Sequence, residues 1–122
     1  MPPPAINLSD KFGMFTDQWS PKTIAEMDGF QFRLAKLEGD FVWHSHADTD
    51  EAFLVISGRL RIDFRDGAVE VRPGEMLVVP KGVEHKPYAA TECQVMVLVR
   101  EGTVNTGNAP ESSQTADPTA RI

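Results

Sequence analysis

The chain has 122 residues, of which 41% are apolar and 25% charged, and a formal net charge of −6 at pH 7. That is enough chain for one hydrophobic core, and the acidity excludes a polyanion as its main partner, since nucleic-acid binding needs a surplus of Lys and Arg on one face. No apolar run reaches the roughly 18 residues that span a bilayer.

The chain opens "MPPPAINLSD", which has neither the basic nor the apolar region of a secretory signal, so a cytoplasmic protein is expected. Residues 1–21 read as an N-terminal arm. Ser20-Pro21 has the form of a helix start, but "KTIAEM" (22–27) is short and ends in Asp28-Gly29, followed by "FQFRLAKL" (30–37). Asp-Gly between such runs marks a β-hairpin, because both turn positions favour positive φ. Further strands are expected at "DFVWHSH" (40–46) and "AFLVIS" (52–57). A second hairpin is expected in "RLRIDFRDGAVEV" (59–71), turning at Asp66-Gly67, followed by strands at "EMLVVP" (75–80) and "CQVMVLV" (93–99).

No stretch of 12 residues shows a helical period, and many short strands between turns predict an all-β sandwich or barrel over 22–102. From Thr103 a polar tail, 103–122, is too poor in apolar groups to offset its ordering entropy, and is expected to be partly disordered and without chemistry. In "EAFLVIS" Phe53 and Val55 oppose Leu54 and Ile56, so both strand faces are apolar. One face belongs in the barrel, and the other needs a second sheet or subunit, which predicts a homodimer.

The chemistry concentrates in the only three histidines. Side chains two apart on a strand point the same way, so His44 and His46 form a bidentate metal clip. Glu51 follows after "ADTD", a loop able to return a carboxylate to the same centre, and His85 follows a Pro-x-Gly turn in "PKGVEHKPY". Asp48 and Asp50 read as a solvated loop. Cys93, the single cysteine, forms no internal disulfide and lies in an apolar run, as a buried structural thiol does.

"GDFVWHSHADTDEAFLVISG" (39–58) and "GEMLVVPKGVEH" (74–85) resemble, in order, the two motifs of the cupin superfamily, G-x5-H-x-H-x3,4-E-x6-G and G-x5-P-x-G-x2-H-x3-N. The spacing from Gly39 to His44 is one residue short, and Ala89 replaces the final Asn. The resemblance covers roughly residues 30 to 100. It implies a double-stranded β-helix, or jelly-roll, barrel with His44, His46, Glu51 and His85 as ligands of one metal ion near one mouth. Such a ligand set suits Zn, Mn, Fe, Co, Ni or Cu and leaves positions open for water or a small-molecule substrate.

The chain is similar to small cupins grouped as mannose-6-phosphate isomerase-like. That likeness implies isomerase or lyase chemistry on a sugar-like or carboxylated substrate, with Glu51, Lys86 and Tyr88, and beside them Glu84, as candidate catalytic groups. Two alternatives stay open: an iron-dependent cupin dioxygenase, and a non-enzymatic ligand-binding cupin. Because imidazoles must be neutral to ligate, metal affinity is expected to fall below about pH 6.5.

Overall fold

A computed structural model describes all 122 residues. Seven antiparallel strands build one sheet that rolls into a barrel: β1 (Lys22–Met27), β2 (Phe30–Asp40), β3 (Glu51–Ser57), β4 (Leu60–Phe64), β5 (Gly67–Val71), β6 (Met76–Val79) and β7 (His85–Arg100). The order is β1-β2-β7-β3-β6, with β4 on β7 and β5 on β4. The 16-residue β7 is the spine of the barrel. Its first residues pair with β4 and with the end of β2, and its last eight pair with β2 and β3.

The all-β expectation holds, and the two hairpins differ instructively. Between β1 and β2, Met27 pairs with Phe30, and Asp28 and Gly29 both have positive φ (52° and 81°), as the sequence predicts. Between β4 and β5, Phe64 pairs with Gly67, so the turn residues are Arg65 and Asp66 and neither has positive φ. The expected Asp66-Gly67 turn is thus displaced by one residue. The cross-strand match of Ile62 with Val69 and Leu60 with Val71 sets the register there instead.

Fifteen buried residues, among them Leu37, Phe53, Val55, Leu60, Ile62 and Val95, fill the barrel. Cys93 is one of them, and burial pushes its thiol up to about 11, which leaves it inert at neutral pH. Ala89 is buried in the same core, where the motif's Asn would bring a polar side chain. A glycine is required at Gly58: its φ is 82°, and a Cβ there would lie 2.8 Å from the Glu92 carbonyl oxygen.

The arm contains one short helix that the sequence reading lacks, α1 (Leu8–Phe12), capped by the Asn7 side chain accepting from the Asp10 N–H at 2.9 Å. Its apolar residues form a second cluster on the outside of the sheet. Phe12 and Phe15 pack there with Leu34 of β2, and Ile56 of β3 and Met96 of β7 lie against them. The second apolar face, expected to be covered by another sheet or subunit, is therefore covered in part by the chain's own arm. Met76 and Val78 on β6 stay exposed, at 68% and 50%. No helix is long and apolar enough to cross a membrane.

The segment 103–122 lies against the barrel through main-chain hydrogen bonds. Thr23 and Ile122 bond backbone to backbone, Thr106 is buried, and Asn105 donates to the Trp19 and Gln114 carbonyls. A polar composition does not prevent this, because hydrogen bonds supply the anchoring that apolar burial does not.

Candidate metal centre

The pair His44 and His46 lies just beyond β2, where residues 41–50 leave regular pairing. The expected strand at 40–46 survives only as a single bridge, in which His44 and His85 exchange both backbone hydrogen bonds (3.1 and 2.9 Å). The alternation persists nonetheless. Both rings are buried, with centroids 4.9 Å apart. Glu51, the first residue of β3, and His85, the first of β7, complete the group. One ligand atom from each of the four lies within 4.8 Å of all the others. Opposite nitrogens on one ion with 2.1 Å bonds are about 4.2 Å apart, so this spread is close to that of a single coordination shell.

Hydrogen bonding fixes how the rings present themselves. Nδ1 of His44 donates to the Val42 carbonyl and Nδ1 of His85 to the Val83 carbonyl, each at 2.9 Å. In a neutral ring this leaves Nε2 as a lone pair. His85 Nε2 faces Glu51 Oε1 at 3.0 Å, a contact that is favourable only with a proton, or a metal ion in its place, between the two atoms. His46 Nε2 is buried without any hydrogen-bond partner, 3.6 Å from the same oxygen. A buried polar atom without a partner costs roughly 1–3 kcal/mol. Three imidazoles and a carboxylate converging in this way, one nitrogen of them unpartnered, call for a shared cation, and so the donor set fits a metal ion.

The charge states agree. Burial pushes the Glu51 carboxyl up, but the hydrogen bond with His85 and the neighbouring imidazoles outweigh it and hold it below the usual range. Desolvation drives His44 down to about 4, with His85 adding to it, and lowers His46 as well. Both are therefore neutral at neutral pH, as ligands must be, and His44 stays so well below pH 6.5.

Each residue of the clip is held by a different segment. Ser45, between the two histidines, donates to Asn108 Oδ1 (2.8 Å) and accepts from the Asn108 N–H (3.1 Å), and the His46 carbonyl accepts from Gly82 N–H (2.8 Å). Gly107 packs so closely that a Cβ would lie 2.2 Å from the Ser45 carbonyl oxygen and 3.1 Å from His46 Nδ1. The tail is thus a buttress of the site, a role that its composition conceals. Gly107→Ala is expected to push the tail away, lowering stability by about 2 kcal/mol and zinc affinity about tenfold or more. Thermal unfolding and a zinc titration check it; unchanged affinity would show that the tail does not position His46.

The expected catalytic candidates divide. Glu51 is in the cluster. Lys86 and Tyr88 are not: they alternate with inward-facing His85, Pro87 and Ala89 and lie on the outer face of β7. There Lys86 pairs with Asp40, and the Arg61 guanidinium sits 4.4 Å from the Tyr88 ring centroid. Glu84 is exposed beside Arg65. The period of two that brings His85 inside turns its neighbours out.

A cavity of about 40 Å³ adjoins His44 and Glu51. At roughly 10–15 Å³ per water it has room for about three. Its walls are mostly apolar, including Leu37, Phe41, Phe53 and Val97, and its remaining polar lining is Arg33 and Asn105. Trp19, from the arm, stacks on Phe41 (centroids 4.6 Å apart) and donates Nε1–H to the Glu38 carbonyl, closing one side. Sequence reasoning missed Arg33, Trp19 and Asn105. For Arg33 the available signal was a charged residue in a strand with apolar residues on both sides.

Residues 30–100 match the family model described as a cupin domain. A solved structure of a cupin-2 domain-containing protein from Shewanella frigidimarina NCIMB 400 is 57% identical, covering 76% of this chain and 91% of that one, with a TM-score of 0.75. A protein from Neisseria meningitidis is 36% identical over 80% of this chain and 99% of its own, with a TM-score of 0.73. The uncharacterised protein YdbB of Bacillus subtilis (strain 168) is 40% identical over 65 residues, which span 52% of this chain and 58% of that relative.

Proposed function

The chain belongs to the cupin family, and on that footing we propose that it is a metal-dependent member, in which His44, His46, Glu51 and His85 hold one divalent transition-metal ion beside a pocket for a compact ligand. The observation that supports this most is the convergence of four buried ligand atoms within 4.8 Å of one another, with His46 Nε2 lacking any hydrogen-bond partner. Three imidazoles and one carboxylate suit Zn, Mn, Fe, Co, Ni or Cu, and four ligands leave open positions on a five- or six-coordinate ion. Such an ion supplies Lewis acidity, or redox chemistry if it is iron.

The protein's part is positional. The Val42 and Val83 carbonyls hold two rings in the ligating tautomer, Glu51 supplies negative charge, and Leu37, Phe41, Phe53 and Val97 exclude water from the ligand. An isomerase or lyase of the mannose-6-phosphate isomerase-like kind moves a proton between carbons and needs a side-chain base apart from the metal ligands. Lys86, Tyr88 and Glu84 face away, and neither Arg33 nor Asn105 is a base at neutral pH. A compact apolar pocket also suits a hydroxylated sugar poorly. The geometry therefore favours oxygenase-type chemistry, with ligand binding alone as the second reading.

Elemental analysis of protein purified without an affinity tag is expected to give about one metal ion per chain. The iron-loaded protein is then expected to consume O₂ with at least one compact member of a panel of diols, diketones and thiols that includes carboxylated members. A metal content near zero after zinc or iron loading overturns the metal reading. No uptake across the panel overturns the oxygenase reading.

A further inference from the structure

Arg33 is the one charged group of the cavity that the metal reading leaves unused. It is 3% exposed, in the inward-facing row of β2 with Gln31, Ala35 and Leu37, and it lines the cavity together with His44 and Glu51. A guanidinium this deep is ordinarily paired with a carboxylate. Here it is not: no carboxylate forms a salt bridge with it, and every acceptor it meets is neutral. Nε–H and Nη2–H donate to Gln31 Oε1 (3.1 and 2.8 Å), Nη1–H to the Thr103 carbonyl (2.6 Å), and Nη2–H to the Pro118 carbonyl at 3.5 Å.

These contacts fix the plane of the guanidinium without neutralising it. Of its five N–H groups four are engaged, so one on Nη1 is left over. Gln31 is itself fixed, donating to Glu26 Oε1 (2.8 Å) and accepting from the Thr23 hydroxyl (3.3 Å). Burial pulls the Arg33 pKa down, and the only group pulling it back is Glu51, whose charge the metal reading assigns to the ion.

The charge balance of the cavity gives the ligand its sign. One ionised carboxylate against a divalent ion leaves one positive charge, and Arg33 makes two, in a pocket whose other walls carry none. Uncompensated charge in an apolar pocket is costly, and a bound anion relieves it. We propose that the ligand of this cavity is a small organic carboxylate, selected over its neutral counterparts by the Arg33 guanidinium. This rests on the metal reading for the second positive charge, whereas the preference assigned to Arg33 itself does not. The structural alternative is that Arg33 only ties the tail to the barrel through Thr103 and Pro118.

Matched probes separate the two. The zinc-loaded protein is titrated calorimetrically with pyruvate and methyl pyruvate, and with acetate and acetamide, and the series is repeated on metal-free protein. At least one carboxylate is expected to bind tenfold or more tightly than its neutral counterpart. Arg33→Gln, still folded by circular dichroism and still zinc-loaded, is expected to lose most of that ratio, and Arg33→Lys to keep part of it. Equal binding of both members of each pair, no binding of any probe, or a full ratio in Arg33→Gln overturns the proposal. Should Arg33→Gln fail to fold, the wild-type ratio and Arg33→Lys still decide. If zinc does not bind but the metal-free protein shows an Arg33-dependent ratio, the metal reading fails and this one stands.

Discussion

Zinc affinity is expected to fall more than a hundredfold in His46→Ala, with the fold retained. Partners in the shell behind metal ligands typically contribute 10–100-fold, and removal of a ligand itself exceeds that. His46 is the most informative of the four because its Nε2 has no hydrogen-bond partner. The backbone beneath it is held independently, by Gly82 N–H on the His46 carbonyl and by Asn108 on Ser45. A loss of zinc is therefore a loss of coordination and not of local structure. Removing His85 would be harder to read, because its ring bonds the Val83 carbonyl and faces Glu51. Lys86→Ala and Tyr88→Phe, on the outer face, are expected to keep the parent affinity. Zinc titration with a competing chelator measures all three, and parent-like affinity in His46→Ala would remove the basis for the metal centre.

How much of this was legible in the sequence depends on what each pattern encodes. The hairpin at Asp28-Gly29 and the positions of most strands were readable because turn chemistry and alternation are local. Convergence of His44, His46, Glu51 and His85 was readable because the family motifs carry it, and the cluster is indeed present. Which face of β2 points inward was not. In "FQFRLAKL" hydropathy alone puts Phe30 and Phe32 inside and Gln31 and Arg33 outside, but the barrel does the reverse. Leu34 and the two Phe residues belong to the outward row, where Leu34 meets Phe12 and Phe15 of the arm. A strand with two buried faces has no polarity cue to its register, and an inward polar face signals a site rather than a core. The tail was illegible for a related reason: its hold on Ser45, Thr23 and Arg33 runs largely through backbone groups, which composition does not describe.

Acidification is expected to destabilise the metal-free protein between about pH 6.5 and 4. His44 has an ordinary pKa of 6.5 when unfolded and about 4 when folded, because burial disfavours its charged form and His85 adds to this. Its folded pKa is depressed, so its contribution is fully present above 6.5 and is lost as pH falls toward 4, where the folded state also takes up the proton. A shift of that size corresponds to about 3 kcal/mol, and hence to a fall of about 10 °C in Tm for a domain of this size. His46, also lowered, acts in the same direction. Glu51, lowered as well, extends the loss below pH 4.5. The same shifts revise the sequence-based expectation for metal binding. Since His44 and His46 are lowered from 6.5, their protonation is expected to compete with zinc only further down the pH scale. Thermal unfolding in chelator from pH 7.5 to 4.5, for the parent and His44→Asn, tests the linkage, because other carboxylates titrate alike in both. A parent curve no steeper than that of His44→Asn would mean that the imidazole is not held neutral by its burial.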